Sequence, residues 1–150
     1  MVSLKSPRSK QSNLEEQAYL ELLRATDRLT RGAAGVLKAE DLSSTQYNVL
    51  RILRGAPEGL PCGAIGRRLI TREPDITRLL DRMEKRNLIS RARETKDRRT
   101  VLTRITETGL DLVNRLDEPV QAIHKKQLGH MSRERLHMLT ELLREASPAD

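Results

Sequence analysis

Phenylalanine and tryptophan are missing from this chain, and Tyr19 and Tyr47 are its only aromatic residues. Proteins that hold single-stranded nucleic acid or carbohydrate stack the ligand on aromatic rings, so those classes have almost nothing to be built from. Cysteine is nearly as scarce. Cys62 stands alone, which excludes an internal disulfide and suits a reducing compartment. Two roles are open to it: a redox-active thiolate favoured by a nearby helix start, or a small buried apolar side chain. Long apolar runs are absent as well. No segment approaches the ~20 apolar residues of a membrane span. Met1 to Asn13 carries Lys5, Arg8 and Lys10 among Ser and Pro, with no apolar stretch of the signal-peptide kind. The chain is therefore expected to be cytoplasmic, with no membrane partner and with a basic disordered arm at residues 1–13.

Catalytic and metal signatures are also lacking. His124, His130 and His137 follow no ligand spacing such as His-Glu-x-x-His, so no metal is expected. No glycine-rich phosphate loop, nucleophile elbow or paired catalytic carboxylate is visible, and neither an enzyme nor a bound cofactor is expected.

What the chain does have is charge, unevenly placed. Its formal net charge is +7 over 150 residues, with 33% charged and 37% apolar residues. Between Ser43 and Gly109 there are 15 Lys and Arg against 8 Asp and Glu, while the two flanks together hold 13 of each sign. A solvated surface spreads its arginines; segregation into one window points instead to a polyanionic partner.

Periodicity then divides the chain. Tyr19, Leu22, Leu23, Leu29, Ala33, Val36 and Leu37 recur at helical spacing, predicting a long amphipathic helix from Leu14 to Lys38. Ser43 and Gln46 have capping-box spacing and open a second helix through Val49, Leu50, Ile52 and Leu53, stopped by Gly55 and Pro57. Gly59-Leu60-Pro61 reads as a turn leading to a short helix whose buried side is Ala64, Ile65, Leu69 and Ile70. A fourth helix is predicted from Pro74, taken as a first-turn residue. It buries Ile76, Leu79, Leu80 and Met83 and ends at Asn87, where a left-handed residue is wanted. Ser90 to Arg93 and Val101 to Thr106 are strand-like and are joined by the polar loop Glu94 to Thr100. Thr106 caps a helix carrying Leu112, Leu116, Val120 and Ile123, in which Pro119 is expected to produce a kink. Ser132 caps a last helix with Leu136, Leu139, Leu142 and Leu143.

Helices followed by a hairpin with a basic tip make the winged helix-turn-helix plan, in which one helix enters the major groove and the hairpin reaches along the backbone. The fold class expected is mainly α with a small β-hairpin wing. The winged helix-turn-helix occupies 43–109, and dimerisation helices occupy 14–42 and 110–147. The apolar stripes of the terminal helices are too long for a small winged domain to cover, which argues for a two-fold homodimer.

The stretch from Ile76 through Thr77, Arg78, Leu79, Leu80, Asp81 and Arg82 to Arg91, then Asp97-Arg98-Arg99, then Ile105-Thr106-Glu107-Thr108-Gly109, resembles the MarR family of bacterial regulators. Asn87 stands where that pattern usually has Gly, Gly66 where it has Ala, and Ile105 where it has Leu. The resemblance implies a dimeric, sequence-specific regulator of transcription, read as a repressor. Each subunit would present one winged helix to half of a pseudo-palindromic duplex site. A small-molecule effector would act between the dimerisation helices and the winged helix, near Tyr19 and Tyr47.

Carried over residue by residue, the resemblance puts Pro74, Asp75 and Arg78 at the base-reading start of the recognition helix, with Thr77 and Arg82 nearer phosphates. Arg78 suits a bidentate contact with guanine. Asp75 has three open roles: accepting from cytosine N4, bracing Arg78, or simply capping the helix. In the wing, Arg99 is the side chain for a narrow minor groove, Asp97 its orienting carboxylate, and Lys96 and Arg98 backbone contacts. Two competing readings remain at this point: a winged-helix interaction module for an acidic protein, and a double-stranded RNA binder, which the closed A-form major groove disfavours.

Overall fold

The computed structural model describes residues 13–148. In chain order these form α1 (Leu14–Ala39), α2 (Ser44–Arg54), β1 (Leu60–Pro61), α3 (Cys62–Arg68), α4 (Ile76–Lys85), β2 (Ile89–Arg93), β3 (Val101–Ile105), α5 (Glu107–Leu128) and α6 (Arg133–Ala146). The architecture is the mainly helical one expected, with a small antiparallel sheet. Residues 1–12 of the arm expected from sequence lie outside the described residues. Asn13 caps α1: its side-chain oxygen accepts the Glu16 N–H at 2.7 Å.

The chain divides into two compact units, one ending at Arg31 and the other beginning at Gly32. In the first, Tyr19, Leu22 and Leu23 are 61%, 40% and 50% exposed. The second unit holds the core. Val49, Leu50 and Leu53 of α2, Ile65 of α3, Leu79, Leu80 and Met83 of α4, Ile89 of β2 and Leu112, Val113 and Leu116 of α5 form one buried cluster. Each such side chain stabilises the fold by about 1.5–3 kcal/mol when taken from water.

Helix ends fix the directions between these elements. At α2 the Gln46 N–H donates to Ser43 Oγ at 3.1 Å and the Ser43 N–H donates to Gln46 Oε1 at 3.0 Å, the capping box read from sequence. α1 and α4 finish in the same way. After α1, Asp41 takes φ 51°, and the Leu42 and Asp41 N–H groups donate to the carbonyls of Leu37 and Lys38. After α4, Asn87 takes φ 55°, and the Leu88 and Asn87 N–H groups donate to those of Met83 and Glu84. Both are Schellman turns with a left-handed residue other than glycine, and in both the apolar pair across the turn is buried.

Four sequence expectations are corrected. Leu60-Pro61 is a strand and not only a turn: it pairs antiparallel with Thr103 and Leu102, giving the sheet order β1-β3-β2. Proline fits there because β1 is an edge strand, and Gly59 at φ 94° turns the chain into it. Ile70 is not on a buried side. α3 stops at Arg68, and Ile70 lies beyond it at 84% exposed. Pro74 precedes the N-cap Asp75 and is not a first-turn residue, because the chain becomes helical only at Ile76. The strands run Ile89–Arg93 and Val101–Ile105, in register from Ile89 opposite Ile105 to Arg93 opposite Val101. Apart from these four, α5 is continuous from Glu107 to Leu128 with Pro119 inside it.

α2 and α5 are tied by a polar cluster at their shared edge. Arg54 donates to both Asp117 oxygens at 2.6 and 3.2 Å and to Asn114 Oδ1 at 2.9 Å. The Tyr47 phenol lies near enough to Asp117 for the two to influence each other electrostatically, and its ring lies 5.9 Å from the Arg51 guanidinium carbon. The hydrogen bond from Arg54 holds the Asp117 carboxyl below the usual carboxylate range, and burial pushes the Tyr47 phenol up. A lowered carboxyl contributes stability above the ordinary Asp range and loses it as pH falls through the lowered value. The melting-temperature gap between wild type and Asp117→Asn is therefore expected to be constant above about pH 5 and to close in acid. A gap that widens on acidification would contradict this assignment.

Candidate nucleic-acid interface

α4 has two faces. Leu79, Leu80 and Met83 point into the core, while Thr77, Arg78, Arg82 and Lys85 are exposed. Asp75 combines two of the roles left open for it. Its Oδ1 accepts the Arg78 N–H at 3.2 Å as a helix cap, and its Oδ2 lies 3.4 Å from Arg78 Nε. The Arg78 side chain, still 75% exposed, is thus aimed from the first turn of the helix by the residue that starts it. Pro74, one residue earlier, is exposed. Arg82 faces a recess that it shares with Lys38, Asp41, Leu42, Ser43, Gln46 and Arg86.

The hairpin loop is shaped by its own polar groups. The Glu94 N–H donates to the Thr100 carbonyl at 2.9 Å and closes the loop. Arg93 Nη1 donates to the Arg98 carbonyl at 2.8 Å. Asp97 acts on main chain: its Oδ1 accepts the Arg99 N–H at 3.0 Å and its Oδ2 the Thr100 hydroxyl at 3.3 Å. This orients the backbone from which the Arg99 side chain departs, a local Asx arrangement rather than a grip on the guanidinium. Lys96, Arg98 and Arg99 are all exposed at this tip.

Two arginines that sequence reasoning left without a role join these parts. Arg91 of β2 donates from Nε to Glu84 at 2.9 Å and from Nη2 to Asp81 and Glu84 at 2.5 and 2.6 Å, riveting the wing to α4. Arg91 stands two residues after buried Ile89 on the same face of the strand, and Asp81 and Glu84 share a helix face at i and i+3. That spacing was the available signal. At the other end of α4, Arg86 donates to the carbonyls of Asp41 at 2.5 Å and Glu40 at 3.0 Å.

The remaining candidates are dispersed. Tyr19 is exposed in the first unit. Tyr47 is buried in the core of the second. Cys62, half-buried at the start of α3, packs against the core. Among the described residues no His, Cys, Asp and Glu group is placed to hold a metal, and no helix is long and apolar enough to cross a membrane.

The model of the MarR family matches residues 42–101. The MarR transcription factor from Planctomyces limnophilus is 39% identical, its crystal structure superposing with a TM-score of 0.69 over 90% of this chain and 98% of that one. The homoprotocatechuate degradative operon repressor of Escherichia coli is 24% identical over 132 residues, 88% of each chain. A cysteine-to-serine mutant of E. coli MarR, solved in complex with operator DNA, shares the fold at TM-score 0.80 and 21% identity, over 91% of this chain and all of that one.

Proposed function

The chain belongs to the MarR family of transcription regulators, and from that premise we propose that it is a cytoplasmic repressor. It binds duplex DNA sequence-specifically as a homodimer. One observation carries the reading: a single winged-helix unit leaves uncovered an arginine at the start of α4 and a cluster of basic side chains at the wing tip. The operator-bound E. coli relative of the same fold supports assigning α4 to the major groove. Pro74, Asp75 and Arg78 then lie at the base edges, with Thr77 and Arg82 towards phosphates. Arg99 enters the minor groove, with Lys96 and Arg98 on the backbone and Asp97 shaping the loop. The terminal helices, 14–42 and 110–147, form the dimer, and 43–109 binds DNA. A small-molecule effector releases the complex. Tyr19 is open to such a ligand, whereas Tyr47 is buried and is reached only if the core around it gives way.

The test is binding of the purified protein to a duplex selected from a random pool. Nanomolar-range affinity is expected, falling about 10³–10⁵-fold between roughly 50 and 200 mM salt if some six to ten phosphates are contacted. Equal affinity for random and selected duplexes removes the reading. Across a site library, Arg78→Ala is expected to relax discrimination at a few positions and Lys96→Ala to weaken all sites alike. Arg99→Ala is expected to act most on A·T-rich flanks. Three identical profiles would refute this division of labour.

A further inference from the structure

Ile70 is the most exposed large apolar side chain among the described residues, at 84%. It sits in the turn of the helix-turn-helix, between the end of α3 at Arg68 and the start of α4 at Ile76. Its exposure is built in. Leu69 closes α3 in extended conformation, φ −64° and ψ 138°, and packs half-buried against the core. The helix has ended there, and the next side chain lies outside the core. The Ile70 N–H is then held at 2.9 Å by Asn48 Oδ1 of α2, which pins the main chain under the protruding side chain. Its neighbours Arg67, Arg68 and Arg72 are exposed and basic. An isolated branched aliphatic group therefore stands beside three exposed arginines, with the carboxylates of Glu73 and Asp75 further along the turn.

We propose that Ile70 reads thymine in the operator by apolar contact with the C5-methyl group. This rests on the duplex-DNA reading above. In that reading the turn lies beside the base-reading start of α4, and the thymine methyl is the one apolar group that the major groove offers. Ile70 thus adds a specificity determinant to those on α4 and the wing. It works by shape and desolvation where Arg78 works by hydrogen bonds.

The experiment uses the full-length protein and the selected duplex, with each thymine of a half-site replaced in turn by deoxyuridine, which removes only the methyl group. Wild type is expected to lose about fourfold in affinity at one or two positions, the worth of one buried methyl. Ile70→Ala should lose a similar factor on the thymine duplex and become indifferent to uridine at those same positions. Ile70→Val should retain the sensitivity. An Ile70→Ala protein with wild-type affinity, or with the wild-type uridine profile, overturns the proposal and leaves the regulator reading standing. Failure of wild type to prefer any duplex overturns both. Because the side chain is exposed, the alanine variant should melt with wild type, and matched melting curves separate lost contact from lost fold.

Discussion

Gly109→Ala is expected to destabilise the protein by about 3 kcal/mol or more, the upper part of the range for overpacking, and to lower its melting temperature by roughly 10 °C. A Cβ at Gly109 would lie 2.1 Å from the Leu88 carbonyl oxygen and 3.0 Å from Ile105 Cγ1. The first obstacle is main chain and cannot rotate aside. It is also held in place, since the Thr106 N–H donates to the same oxygen at 3.1 Å. Thr106 Oγ1 meanwhile donates to the Asn87 carbonyl at 2.6 Å and accepts the Gly109 N–H at 3.1 Å. The residues from Thr106 to Gly109 are therefore a dock in which the start of α5 touches the end of α4. Threonine supplies both hydrogen bonds and glycine permits the approach. Gly35→Ala is the control: nothing lies within 4 Å of its Cβ position, and within a helix alanine there is worth up to about 1 kcal/mol in the stabilising direction. Equal melting temperatures for the Gly109 variant and wild type would mean that the dock yields without cost.

Leu142→Glu is expected to dissociate the dimer and to reduce specific DNA binding by orders of magnitude. α6 buries none of its residues, and Met138, Leu142 and Leu143 are 55%, 56% and 43% exposed. An amphipathic helix with no buried residue is held by a partner or by nothing. The substitution removes no contact from the core, so its effect falls on assembly. A carboxylate at the centre of an apolar interface costs several kcal/mol unless it is paired. Loss of the second subunit then halves the contacts with a two-fold site. Sedimentation and footprinting report the two consequences separately. A variant that stays dimeric and protects a full site would move the interface elsewhere.

Much of this fold is legible locally. Ser43 with Gln46 announces the start of α2, the period of Ile76, Leu79, Leu80 and Met83 gives α4 its buried face, and Asn87 marks its left-handed exit. The basic residues of the wing tip are likewise visible as a polar loop between strand-like segments. What is not legible locally depends on partners distant in sequence. Two residues of β1 carry no period, and they become a strand only because Thr103 and Leu102 lie opposite. Ile70 reads as apolar and therefore buried, because nothing nearby shows that α3 ends at Arg68 or that Asn48 will hold the turn. The rivet of Arg91 joins groups 7 and 10 residues away, across a change from helix to strand.

The grip of Arg86 on the end of α1 has a bearing on how such a protein can drift. It closes on the carbonyl oxygens of Glu40 and Asp41, which every residue type possesses. The side chains at those two positions can therefore be exchanged over generations while the tail of α4 keeps its anchor, provided position 41 still accepts a left-handed backbone, as Asn and Gly do. Position 86 has no such latitude. A lysine ammonium is a compact point charge, whereas arginine's planar fork offers each carbonyl a separate nitrogen in fixed geometry. Variation among descendants of this sequence should accordingly be wide at 40, narrow in conformation but not in identity at 41, and nearly absent at 86.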